Sequence, residues 1–162
     1  MAILSNVKKF LDQQRVSYEV TSHPEGSTFP QIAALLQRSG KPFAKVVLVK
    51  TEEGFVMCVL PAYELIDIGR LEKVLGKKGT VRIATEEEFK SLFPDCEIGA
   101  MPPFGNLYHI PVYLDRRLAE YDDLYFAGGR HTETVSLGME VYRRLISPKI
   151  AEFGRVIRPK AA

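Results

Sequence analysis

Residues 45–60 constrain the fold more tightly than any other stretch of this chain. Lys45-Val46-Val47-Leu48-Val49-Lys50 is β-branched and apolar on both faces. That is the pattern of a central strand covered on both sides, not of an edge strand with one wet face. Glu53-Gly54 then reads as a turn, and Phe55 to Leu60 as the second strand of a hairpin.

The remaining elements are short and irregular in order. Ile3, Val7, Phe10 and Leu11 recur at helical spacing over 3–15, and Tyr18 to Thr21 alternates as a short strand. After the turn cluster His23 to Ser27, Thr28 can cap a helix with Pro30 in its first turn, carrying Ile32, Leu35 and Leu36 to Gly40. Ile68, Leu71, Val74 and Leu75 predict a helix stopped at Gly76, and Val81 to Ile83 a strand. Thr85 with Glu88 is a capping-box pattern that opens a helix towards Phe93. Short strands are expected at Leu107 to Ile110, Val112 to Leu114, Leu124 to Ala127 and Thr132 to Ser136. Val141, Leu145 and Ile146 suggest a helix, and Ser147-Pro148 the cap of a final short one. Short strands mixed with helices predict an α+β fold: a single domain over 1–162 with a central mixed, mostly antiparallel β-sheet flanked by helices.

Composition excludes several classes. With 162 residues, 46% hydrophobic and 26% charged, the chain has globular composition and enough length for a core without metals or disulfides. No apolar run approaches the ~20 residues of a membrane helix. Lys8, Lys9 and Asp12 come too early for a signal-peptide core. Cys58 and Cys96 lie far apart, which suggests neither a zinc site nor a disulfide framework, so a reduced, cytoplasmic setting is expected. The net charge is +2, unevenly spread: residues 143–162 hold six basic residues against one acid, while the first 142 residues sum to −3. A basic tail from about residue 150 suits a phosphate-rich partner, though on charge alone a solvated end is the commoner reading of such a run.

Three segments carry candidate chemistry. Gly99-Ala100-Met101-Pro102-Pro103-Phe104-Gly105 sets two glycines around two prolines. Glycine admits close backbone approach and proline fixes the path, so the loop is either a rigid pocket wall or a structural turn. Ala127-Gly128-Gly129-Arg130-His131-Thr132 follows a predicted strand and is either a site loop or a hairpin turn. It lacks the P-loop pattern. Lys45, at the start of the apolar strand, either snorkels to water or presents its ammonium to a pocket. There is no GxSxG, HExxH or GxGxxG pattern, and His23, His109 and His131 lack metal-site spacing. Asp122-Asp123 and Glu86 to Glu88 sit in turn and helix-start contexts, and Cys58 reads as core.

In chain order, His23 before a helix, Phe43-Ala44-Lys45-Val46-Val47, Cys96 to Gly105 and Phe126 to Thr132 form a series. That series resembles the YbaK family, aminoacyl-tRNA deacylase domains related to the editing insertion of bacterial prolyl-tRNA synthetases. The resemblance spans about residues 3–150. It implies hydrolysis of the ester between a wrong amino acid and the tRNA 3′ end, with no metal, cofactor or covalent enzyme intermediate. Lys45 matches the family's key lysine. Gly99 to Pro103 matches its Gly-xxx-Pro loop, whose backbone holds the aminoacyl end, so Lys45 and Gly99 are the expected catalytic positions. His23, Thr28, Ala100, Met101, Pro102, Pro103, Gly105, Gly128, Gly129 and His131 are the expected substrate-binding ones. Ala100-Met101 and the double proline depart from the commoner pattern of a second glycine and a small polar residue before the proline, which bears on pocket size.

Two functions follow. One is trans-editing of tRNA carrying alanine, serine or cysteine, since the chain ends near the domain edge with no synthetase attached. The other is a non-catalytic module that binds tRNA or a synthetase through the same groove. Arg155, Arg158 and Lys160 are expected to contact tRNA phosphates. The expected partners are aminoacyl-tRNA and an aminoacyl-tRNA synthetase, with no membrane and no DNA.

Overall fold

The computed structural model describes residues 5–26, 28–38 and 40–156. The predicted hairpin is its centre. Strand β2 (Ala44–Thr51) pairs antiparallel with β3 (Gly54–Pro61), Lys45 opposite Leu60 and Thr51 opposite Gly54. Both strands are interior to a five-stranded sheet. β5 (Arg82–Ile83) borders β2, while β6 (Val112–Asp115) and then β9 (Lys149–Ala151) extend the sheet beyond β3 in parallel. The long excursion between β3 and β6 is what permits a parallel pair, because such a crossover cannot be a tight turn. It contains β4 (Glu64–Ile66), α3 (Ile68–Leu75) and α4 (Glu86–Phe89).

A second, three-stranded antiparallel sheet has the order β1 (Tyr18–Ser22), β8 (Glu133–Gly138), β7 (Asp123–Ala127). One parallel bridge, Phe43 to Tyr125, links the mouth of β2 to β7. β10 (Gly154–Val156) pairs with β4. Helices α1 (Ser5–Gln13), α2 (Phe29–Arg38), α5 (Arg116–Ala119) and α6 (Met139–Ile146) complete the α+β arrangement. Among the described residues no helix is long and apolar enough to cross a membrane.

Local chemistry explains the helix ends. Thr85 and Glu88 form the predicted capping box, and Gly76 ends α3 in the left-handed conformation at φ +68°. At α2, Thr28 Oγ1 accepts from the Gln31 amide while Gln31 Oε1 accepts from the Thr28 amide. Buried apolar side chains form three clusters; the largest contains Leu48, Met57, Phe104, Leu114 and Tyr142. Cys58 is fully buried in the second cluster, as expected of core, and burial pushes its thiol far up.

Three expectations change. Leu107 to Ile110 is not a strand. Gly105–Tyr108 is a turn of 3₁₀ helix closed by left-handed His109, which lets the adjacent Leu107 and Tyr108 both pack on the core. Among the described residues no helix follows Ser147-Pro148. Ser147 instead ends α6 at φ +51°, its amide donating to the Arg143 carbonyl, and the chain continues as β9 with Ile150 opposite Leu114. The stretch read as a basic tail from about residue 150 is therefore built into two sheets as far as Val156. Ile3, Ser27, Arg158 and Lys160 lie outside the described residues.

Candidate active site

Lys45 is the second residue of β2, close to the bridge that joins the two sheets. It is half-buried, and burial lowers its pKa from the ordinary 10.5, against an upward pull from Glu64. It forms no ion pair among the described residues. An ammonium held in a partly dry position with no partner is poised to meet a phosphate or a developing oxyanion.

Two loops come to this lysine, and each is tied to the other. The Glu97 amide donates to the Gly129 carbonyl at 2.8 Å, docking the first loop on the β7–β8 hairpin. The His131 ring reaches back, with Nε2 2.9 Å from the Ile98 carbonyl. A carbonyl only accepts, so Nε2 carries the proton in this contact. His131 Nδ1 is buried without a hydrogen-bond partner among the described residues. Gly99 follows Ile98 at φ +85°, a left-handed conformation suited to glycine. A Cβ at this position would lie 3.6 Å from His131 Cε1.

These contacts leave a cavity of about 470 Å³ lined by Thr28, Pro30, Lys45, Val46, Ile98, Gly99 and His131. Four of the expected residues meet there: Thr28, Lys45, Gly99 and His131. The amides of Gly99 and Met101 donate to no acceptor among the described residues, whereas the Ala100 amide is occupied by the Glu97 carbonyl.

The other expected positions are elsewhere. Ala100 packs with Ile32, Leu36, Phe43 and Ala127. Met101 is 6% exposed and belongs to the main core. Pro102 and Pro103 are buried, and the Pro103 carbonyl accepts from the buried Tyr142 hydroxyl at 2.6 Å. Gly105 is a packing residue, since a Cβ there would lie 2.3 Å from the Ile110 carbonyl oxygen. Gly128 and Gly129 form the hairpin turn, Gly129 at φ +104°. His23 braces that hairpin from outside the cavity: its amide donates to the Thr132 carbonyl at 2.6 Å, and its Nε2 lies 2.7 Å from Thr134 Oγ1. Arg155 is exposed on β10.

Sequence reasoning passed over Pro30, Val46 and Ile98 as cavity walls. The available signal for Ile98 was a large apolar residue beside a loop glycine; it is 45% exposed. It also passed over Glu64. This fully buried carboxylate pairs through Oε1 with Arg117 Nη1 at 2.9 Å, while Oε2 has no partner among the described residues. Burial and then neighbouring Asp115 raise its pKa, and Arg117 opposes them. Among the described residues there is no cluster of metal-ligating side chains.

Comparison with known proteins fits this geometry. A crystal structure of a hypothetical protein superposes with a TM-score of 0.82 at 21% identity, covering 93% of this chain and all of that one. A candidate trans-editing enzyme for prolyl tRNA synthetase superposes with a TM-score of 0.76 at 22% identity, over 92% and 94% of the two chains. At these identities the likeness establishes the fold alone. A proline–tRNA ligase from Bacillus cytotoxicus is 24% identical over 108 residues; the match covers 67% of this chain and 19% of the ligase, so the chain spans only a small part of that relative. The model of the aminoacyl-tRNA editing domain matches residues 23–145, which includes every wall of the cavity. The chain therefore belongs to the aminoacyl-tRNA editing domain family.

Proposed function

We propose that this protein is a trans-acting, cytoplasmic aminoacyl-tRNA deacylase that hydrolyses the ester of tRNA carrying a small wrong amino acid, alanine, serine or cysteine. The observation that carries the reading is the convergence of Lys45, Gly99, Thr28 and His131 on one cavity from four separate segments. An aminoacyl ester is already activated, so placing a water and stabilising the oxyanion can suffice. Lys45 supplies the positive charge, for the terminal nucleotide or the developing oxyanion. The Gly99 amide, without an internal acceptor among the described residues, is the donor best suited to the oxyanion. His131 holds that amide in place through the Ile98 carbonyl. The substrate's own ribose hydroxyl can assist. Ala100 and Met101 help set the loop from behind, and Arg155, Arg158 and Lys160 add phosphate contacts.

The test is deacylation over a panel of aminoacyl-tRNAs, with the Lys45→Ala variant beside the parent. We expect turnover of at least one small-residue ester and a loss of about 10²–10³ in rate on removing the lysine, the usual effect of one lost transition-state contact. Tight tRNA binding without hydrolysis in the parent would instead make the protein a binding module. Replacing Arg155, Arg158 and Lys160 together with Ala should weaken tRNA binding and flatten its salt dependence, by about 0.7–0.9 in log–log slope per lost phosphate contact. An unchanged slope would show those residues merely solvated.

A further inference from the structure

Pro30 lines two cavities, the Lys45 site and a second one of about 390 Å³. The second is walled by Pro30, Ala34 and Gln37 of α2, by Lys41, and by Tyr63 and Tyr121. Tyr63 sits between β3 and β4 and Tyr121 between α5 and β7, so three separate parts of the chain build the space. Its volume lies in the range of small-ligand clefts, about 300–1,000 Å³.

The lining has a definite chemistry. Two tyrosines are accessible, at 36% and 41% exposure, so aromatic surface is open to a ligand. Apolar α2 side chains supply further surface, and Gln37 offers an amide that can both donate and accept. Lys41 brings a positive charge to the rim, its Nζ 5.6 Å from the Tyr125 ring centroid. Aromatic surface, an amide and a nearby cation are the elements with which proteins hold unpaired bases of single-stranded RNA. The substrate class already proposed ends in such a strand, and the shared wall at Pro30 sets this space beside the ester site.

We propose that the cavity is a nucleobase subsite, holding a base of the single-stranded tRNA 3′ end while the aminoacyl ester lies across Pro30 against Lys45. This rests on the deacylase reading, and the test separates the two. Uncharged CCA trinucleotide, and versions lacking the terminal or the penultimate base, would be titrated against the parent protein, Tyr63→Ala and Ala34→Trp by fluorescence anisotropy. The parent should bind intact CCA roughly tenfold more tightly than one of the two abasic versions, a stacking-sized effect. Both variants should erase that difference, and the position at which it vanishes identifies the base, terminal or penultimate. Ala34 is exposed on α2, so Ala34→Trp fills the cavity without disturbing the core and carries the test whatever Tyr63→Ala does to folding. The subsite is overturned if neither abasic change weakens binding to the parent, or if Ala34→Trp keeps the parent's discrimination. Uncharged oligonucleotides carry no ester. Base-dependent binding by a parent that hydrolyses nothing would therefore sink the deacylase reading and leave the subsite standing. Hydrolysis with base-independent binding would do the reverse.

Discussion

The two ends of the 99–105 loop use glycine for opposite reasons. Gly99 faces the cavity in a left-handed conformation, with only the His131 ring near the place a Cβ would take. Gly105 carries no such backbone constraint, yet a Cβ there would lie 2.3 Å from the Ile110 carbonyl oxygen and 2.5 Å from Val112 Cγ2. The residues between divide the same way. From Ala100 onward the loop is buried, and Phe104 makes edge contacts with Phe10, Phe126 and Tyr142. A loop that must present a backbone amide accurately is anchored by burying its other half. Full burial of one such large apolar side chain is worth about 1.5–3 kcal/mol, enough to resist local opening.

That contrast is most severely tested at Gly105. Gly105→Val should cost about 4 kcal/mol or more, because backbone rather than a flexible side chain must give way. Thermal melting should show a large drop or no cooperative transition. A melting temperature near the parent's would mean the buried half is not tightly packed.

Met101→Ala comes next, at about 2–5 kcal/mol of stability for a cavity left in the core. Its ratio of alanyl- to seryl-tRNA deacylation should stay close to the parent's, since Met101 lies in the core and is not among the cavity's walls. A tens-fold change in that ratio with stability intact would put Met101 on the substrate side. Gly99→Val should show the converse pattern. Valine at φ +85° is strained by about 1–3 kcal/mol, so stability falls modestly while the rate falls strongly through the displaced amide. tRNA affinity, coming mainly from remote phosphates, should fall less than the rate. A parent-like rate would remove the loop from the chemistry.

These differences explain what was legible in the sequence. The β2–β3 hairpin was readable because pattern, turn and register are all local. Lys45 and Gly99 were legible in part: a lysine entering an apolar strand and a Gly/Pro-rich loop left a snorkelling lysine and a plain turn open beside a site, and only the family resemblance chose between them. The inward turn of the loop was not, because Met101 and Phe104 suit a pocket wall as well as a core. The strands β4, β9 and β10 hold three residues each, too few for any periodicity. Glu64 gave no local sign of burial, since its partner Arg117 lies 53 residues away.

Glu64 also supplies the smallest effect expected. Lys45 is pushed down by burial and held up in part by Glu64. Deacylation that needs the ammonium should therefore fade as pH rises through a value below lysine's ordinary 10.5. Glu64 is itself raised by burial and Asp115 and pulled back by Arg117, and its ion pair with Arg117 at 2.9 Å favours the charged carboxylate that Lys45 feels. Glu64→Gln removes that charge while keeping the shape of the side chain. The alkaline limb of the pH–rate profile, after subtracting uncatalysed ester hydrolysis, should move to lower pH by less than about one unit, the scale of one screened charge. A purely structural role would lower the melting temperature or the rate at every pH and leave the limb where it was. A limb that moves to higher pH would reverse the sign of the coupling and remove Glu64 from the electrostatics of the site.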